Sequence, residues 1–360
     1  MAASWTTQLE APPTLMNPLV VENVCPEDPR WPTAEQGAGR DIRVTLPRDR
    51  VCKPDESAGG KIVSVLGGTT QNPAHNIWVT GGEIINAHGQ GNLKTDKGAA
   101  LLRFHNVANG TVMVEGVHFD ARGTCEDLVN MVQIGSGVRF VFQNIYAEGA
   151  GHCGKGGTHG DFIQNQGWGK PVPYTHPEVK VENATVRTLG QGTFLPPRNT
   201  GHGVSKLTLD HVTFIAEDRL QNPDRTKGIG WVMAWQDPNT PGAMLPKNGV
   251  RLLDVNIDRN GKSVAYPSWP KPIGERNGCA LYGAGSGITE GTWCWGRPES
   301  GLPVVEGMVG LSYDRSAFLG LPTGSQGPSD FRFDDGTVNF TMPAARARAL
   351  RDKLEEYLRQ

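Results

Sequence analysis

Six segments of this chain repeat one pattern, apolar-x-apolar-x-bend-(apolar or small)-x-apolar, and that repeat constrains the fold more than any other feature. They are IWVTGGEI from Ile77, VMVEGVHF from Val112, FVFQNIYA from Phe140, VKVENATV from Val179, LTLDHVTF from Leu207 and VRLLDVNI from Val250, spaced by 35, 28, 39, 28 and 43 residues. The bend position holds Gly81, Gly116, Asn144, Asn183, His211 and Asp254. These residue types enter the left-handed region most readily. Each segment therefore reads as two short strands joined by a one-residue bend. A unit recurring at this period, with inserts of variable length, is the mark of a solenoid. Short strands rich in Val, Ile, Leu and Phe, without helical periodicity between them, exclude helical and leucine-rich repeats. The expected fold is all-β, a single-stranded right-handed parallel β-helix. A jelly roll or sandwich, which needs hairpin signals about every 8 to 12 residues, is the alternative.

Each repeat needs a further strand before its doublet. Asn130–Ile134, Asp161–Asn165, Thr193–Pro196 and Trp231–Trp235 fit. Stacking them puts Asn130, Asp161 and Thr193 in one column and Gln133 and Gln164 in another. The organisation expected is an irregular N-terminal segment with first strands over 1–60, a parallel β-helix core over 61–260, and a last region over 261–360. That last region is read as irregular and cystine-containing, with a hairpin about Asp334-Asp335-Gly336 and a capping helix. Ala347, Leu350, Leu354 and Leu358 share one face of the helix, so it is amphipathic and leaves oligomer formation open.

Glycine at 47 residues and proline at 26 agree with a turn-rich β protein. Formal net charge is −2 with no long run of either sign, which argues against a nucleic-acid groove. No stretch is long and apolar enough for a membrane span, and the N-terminus MAASWTTQLEAPP lacks the pattern of an export signal. Six cysteines, at 25, 52, 125, 153, 279 and 294, look like three local pairs and show no zinc spacing. Cys125 and Cys153 are 28 residues apart, a repeat length. Disulfides imply an oxidising compartment, so the protein is expected to be secreted or otherwise extracytoplasmic. Six free thiols in a cytosolic protein is the other reading.

The chemistry concentrates in HCGKGGTHGDFIQNQ, from His152 to Gln166. It gathers two histidines, a lysine, a carboxylate, a thiol and three amides around four glycines. On a strand, His159 and Asp161 would share a face, pairing an imidazole with a carboxylate; an exposed surface pair is the plain reading of the same spacing. Asn130, Gln133, Gln164 and Thr193 would add polar groups from neighbouring strands, and Trp168, Trp231 and Trp235 would line a cleft suited to a sugar chain.

The repeat, the glycine-rich turns and the HGD-x-x-Q strand resemble the pectin-lyase-like superfamily of right-handed parallel β-helices over about residues 60 to 260. That resemblance implies polysaccharide lyases, glycoside hydrolases, pectin esterases or phage depolymerases as company. Gly201-His202-Gly203 and Arg225-Thr226-Lys227 match two polygalacturonase motifs, but the Asp-Asp pair upstream is missing, so that family's catalytic roles do not carry over.

The expected function is cleavage of glycosidic bonds in a polysaccharide or oligosaccharide substrate. In the hydrolytic version, slightly favoured, Asp161 works with Asp127, Glu126 or Glu148 as second carboxylate while His159 and His152 tune it. In β-elimination, His159 or Lys155 is the base and Arg122 neutralises a uronate. A non-catalytic glycan-binding adhesin is the second alternative. No cofactor is expected, with Ca2+ the one ion left open.

Overall fold

The computed structural model describes residues 9–53, 63–85, 100–121, 127–135, 137–150, 161–166, 177–188 and 204–216, with backbone pieces at 193–194, 233–234, 250–258, 274–276, 279–281, 290–295, 333–334 and 337–338. The chain divides into two compact units, residues 1–310 and 311–360.

The first unit opens with β1 (Leu19–Glu22), the four-residue helix α1 (Ala34–Gly37), β2 (Ile42–Thr45) and β3 (Val63–Gly67). Next come β4 (Ile77–Thr80), β5 (Glu83–Ile85), β6 (Ala100–Val107), β7 (Thr111–Glu115), β8 (His118–Asp120) and β9 (Asp127–Ile134). Then follow β10 (Arg139–Ala150), β11 (Ile163–Gln166), β12 (Glu178–Thr188), β13 (Thr193–Phe194), β14 (Lys206–Ala216), β15 (Met233–Ala234) and β16 (Val250–Asp258). It closes with β17 (Gly274–Arg276), β18 (Cys279–Leu281) and β19 (Glu290–Trp295). In the second unit β20 (Phe333–Asp334) and β21 (Thr337–Val338) pair antiparallel, with Asp334 opposite Thr337, as the expected hairpin requires.

Two sheets result. The larger runs β1-β2-β4-β7-β10-β12-β14-β16-β19-β18-β17, with β5 and β8 paired beside that path and β8 also on β10. The smaller runs β15-β13-β11-β9-β6-β3. Pairing is parallel throughout, except where β17, β18 and β19 meet antiparallel inside the region read from sequence as irregular. There Cys279 stands opposite Cys294 in the backbone ladder.

The repeat segments stack in register, Ile77 on Val112, Val112 on Phe140, Phe140 on Val179, Val179 on Leu207 and Leu207 on Val250. Their bends are left-handed as expected, with φ of 71° at Gly81, 63° at Gly116, 52° at Asn144, 48° at Asn183 and 53° at His211. The right-handed parallel β-helix is nevertheless corrected: the described strands form two parallel sheets with no closed solenoid. Periodicity dictates which positions stack, whereas closing a coil depends on the path of the connections, and the repeat carries no information about that path. The expected C-terminal amphipathic helix lies outside the described residues.

The core sits between the sheets. Phe104 of the smaller sheet meets Phe140 of the larger edge-on at 5.7 Å, and Phe162 meets Phe142 at 6.4 Å. Each such pair adds about 0.5–1.5 kcal/mol to the burial of its rings. A disulfide joins buried Cys25 and Cys52, one of the local pairs expected. Closing that 27-residue separation stabilises the fold by about 3.5 kcal/mol in the chain-entropy account. Cys125 and Cys153 lie outside the described residues.

On its outer face the larger sheet is crossed by part of the N-terminal segment. Leu15 packs on Trp78, Met113 and Val141, which alternate away from the core. Gln143 fixes the backbone of Glu10 at both ends, donating from Nε2 to its carbonyl at 3.0 Å and accepting from its N–H at 3.1 Å. The Glu10 carboxylate accepts from Arg139 and from Lys180, the latter at 2.8 Å. Arg139, helped by Lys180, holds the Glu10 carboxyl down at about 2.

Two outcomes follow from these contacts. Asn183→Val should lower stability in urea titration by about 1–2 kcal/mol, the cost of a left-handed bend for a residue with a branched Cβ, and Asn183→Gly should cost clearly less. Because the Glu10 pKa is depressed, its stabilisation is present above the ordinary glutamate range and is lost as pH falls toward about 2. Glu10→Gln should therefore destabilise by about 1 kcal/mol at pH 7, a value discounted for partial exposure, with the difference from wild type vanishing in acid melts.

Candidate functional site

Parallel stacking of β6, β9 and β11 assembles the polar site. Arg103 pairs with Asn130, and Asn130 with Gln164, one strand to the next. Their neighbours Leu102, Val129 and Ile163 are core, so alternation turns the polar column to the opposite face. This register differs from the one expected. Asn130 lies beside Gln164 rather than Asp161, and Thr193 pairs with Ile163. The equivalent of Asp161 is Asp127, each just ahead of or at the start of its strand.

These two aspartates are in direct contact. The Asp161 N–H donates to Asp127 Oδ1 at 2.8 Å, and both side chains are buried. Burial and the charge of Asp161 push the Asp127 carboxyl well above the usual range; the Asp161 N–H, Asn130 and Arg103 pull the other way and do not offset it. The result is an Asp127 carboxyl whose protonated form is favoured relative to an isolated aspartate. Arg103 is itself eased downward by burial, an effect countered by Asp127.

Farther along the same strands His105 Nε2 lies 2.7 Å from Gln133 Oε1. Alternation would send Gln133 to the core with Val129 and Met131, but its φ of 52° breaks the alternation and brings it to His105. Burial lowers the His105 pKa in spite of that hydrogen bond, favouring the neutral ring. Arg103 and His105 were not picked out from the sequence, although ALLRFHNV carries the signal: an arginine and a histidine two apart on an otherwise apolar strand.

Glu148, expected beside Asp161, belongs to a different cluster on the larger sheet. It follows Tyr146 on β10, and these two pair in register with Asp120 and His118 of β8. His118 Nε2 is 3.1 Å from Glu148 Oε1 and its Nδ1 is 3.9 Å from Glu83. The ring lies against Tyr146 at 4.9 Å, and Arg187 Nε donates to the Tyr146 hydroxyl at 2.9 Å. Burial disfavours the His118 charge, yet the hydrogen bonds and charges of Glu148 and Glu83 outweigh it and lift the pKa to about 9.

The two clusters are joined by chain. Asp120 leads to Asp127 through residues 121–126, and Glu148 leads to Asp161 through 149–160. Seven residues span at most about 25 Å, which bounds the distance between Asp120 and Asp127. Those connections contain Arg122, Glu126, His152, Lys155 and His159, and these side chains lie outside the described residues, as do Trp168, Trp231 and Trp235. The HGD segment is not a strand throughout: β11 begins at Ile163, and both Phe162 and Ile163 are buried in the core.

A raised carboxyl pKa makes a signed prediction. The favourable state of Asp127 is the protonated one, so its contribution to stability is complete below about pH 3.8 and is lost as pH rises through the folded-state value. Asp127→Asn keeps an acceptor for the Asp161 N–H and removes that burden; thermal melts from pH 4 to 8 should show a flatter profile and a higher midpoint at neutral pH than wild type. A scan of family models and searches of curated proteins and of solved structures find no match to this chain.

Proposed function

We propose that the protein is a carbohydrate-active enzyme that hydrolyses glycosidic bonds, with Asp127 and Asp161 as its acid–base pair. The observation that carries this reading is the buried contact between the two aspartates, with the Asp127 carboxyl pushed well above the usual range by burial and the charge of Asp161. Glycoside hydrolysis needs that combination, one carboxyl to protonate the departing glycosidic oxygen and one carboxylate for the attacking side of the sugar. Asp127 takes the first role and Asp161 the second.

The Arg103–Asn130–Gln164 column supplies donors and acceptors next to the two aspartates, and the His105–Gln133 pair adds more farther along the same strands, as a hydroxyl-rich substrate requires. Arg122, Lys155 and His159 belong to the connections that lead into Asp127 and Asp161 and lie outside the described residues. The Cys25–Cys52 disulfide supports an extracytoplasmic location. Among the described residues no helix is long and apolar enough to cross a membrane.

Incubating wild type, Asp127→Asn and Asp161→Asn with neutral and uronate-containing polysaccharides tests the proposal. Wild type should release reducing ends without the absorbance of unsaturated uronates, and Asp127→Asn should be slower by about 10²–10⁴-fold, the usual contribution of a general acid. Reducing ends accompanied by that absorbance would replace hydrolysis with elimination. Glycan binding by all three proteins without any cleavage would replace the enzyme with an adhesin.

A further inference from the structure

We propose that His118, Asp120 and Glu148 form a binding site for a first-row divalent transition-metal ion of the zinc or manganese class. This does not depend on the acid–base reading of the aspartate pair, which lies on the other sheet.

The backbone prepares the site. His118 and Asp120 are two apart on β8 and so share a face, and Glu148 pairs with Asp120 from β10. One ligand atom from each of the three residues lies within 4.8 Å of the others, and all three residues are buried. Donors around a tetrahedral zinc at about 2.1 Å stand about 3.4 Å apart. His118 and Glu148 already stand close to that spacing at 3.1 Å, and with all three ligand atoms within 4.8 Å of one another an adjustment of at most about 1.4 Å at Asp120 completes it.

A second arrangement points the same way. A metal-ligating imidazole is ordinarily oriented by a carboxylate on its other nitrogen. Here Glu83, which pairs with His118 in register from β5, places its carboxylate 3.9 Å from Nδ1 while Nε2 faces Glu148. The ring is further held by Tyr146, itself fixed by Arg187. The imidazole donor decides the class of ion, because Ca2+ and Mg2+ take oxygen ligands whereas zinc and manganese accept nitrogen with carboxylate.

The experiment uses the full chain, stripped with chelator and then titrated with Zn2+, Mn2+ and Ca2+ by calorimetry, with metal content and circular dichroism measured on the same samples. The expected result is one Zn2+ or Mn2+ per chain, Ca2+ at least about tenfold weaker, and a raised melting temperature on loading. His118→Ala should abolish binding with the fold retained. Glu83→Gln, which leaves all three ligands, should weaken it about 10–100-fold. Failure of the wild type to hold either ion, preference for Ca2+, or undiminished stoichiometry in His118→Ala would each overturn the site. Should His118→Ala not fold, Glu148→Gln takes its place under the same criterion.

Discussion

Parallel pairing in register places each residue about 4.8 Å from its counterpart on the next strand, and most of what distinguishes this protein descends from that spacing. Like is set upon like. Where the counterparts are apolar the consequence is a core, as with Val112, Phe140, Val179 and Leu207. Where they are bend residues it is a file of left-handed backbone from Gly81 to His211. Where they are acids, charges that would avoid each other in solution are forced into company, and the sheet must accommodate them.

Glu182 and Asp210 meet in this way on β12 and β14, and two further encounters among the described residues resolve differently. At Asp127, burial and the charge of Asp161 outweigh the Asp161 N–H, Asn130 and Arg103, so the protonated carboxyl is favoured. Asp120 and Glu148 have His118 alongside, and Glu83 beyond it, so an imidazolium takes up negative charge instead. The same geometric cause thus yields an acid in one sheet and a basic histidine in the other.

The doublets were legible because their pattern has a marker at a fixed position: a residue tolerant of positive φ fixes the frame, and the observed register follows it strand by strand. The smaller sheet has no such marker. Aligning Gln133 with Gln164 by identity shifted its strands by three residues, since Gln133 is a left-handed residue outside the alternation and Val129 is the true partner of Ile163. The pairing of Asp127 with Asp161 was weighed from sequence, whereas Glu148 was assigned to the same site only because residue order cannot tell which sheet receives a strand. Nor could the repeat show that the strands would form two sheets without closing into a coil.

The strap at Glu10 introduces a matter of timing. Lys180 leaves the ribosome 170 residues after the Glu10 carboxylate it binds, and at about 5–20 residues per second that is a wait of roughly 10–35 s. During that interval Trp78 and Met113 emerge before Arg139 and Gln143, the first of the residues that anchor Glu10 and so secure Leu15 over them. A nascent chain of this protein thus carries an apolar patch until β10 supplies Gln143 and Arg139, and the last contact of the strap, to Lys180, reports that β12 has been made.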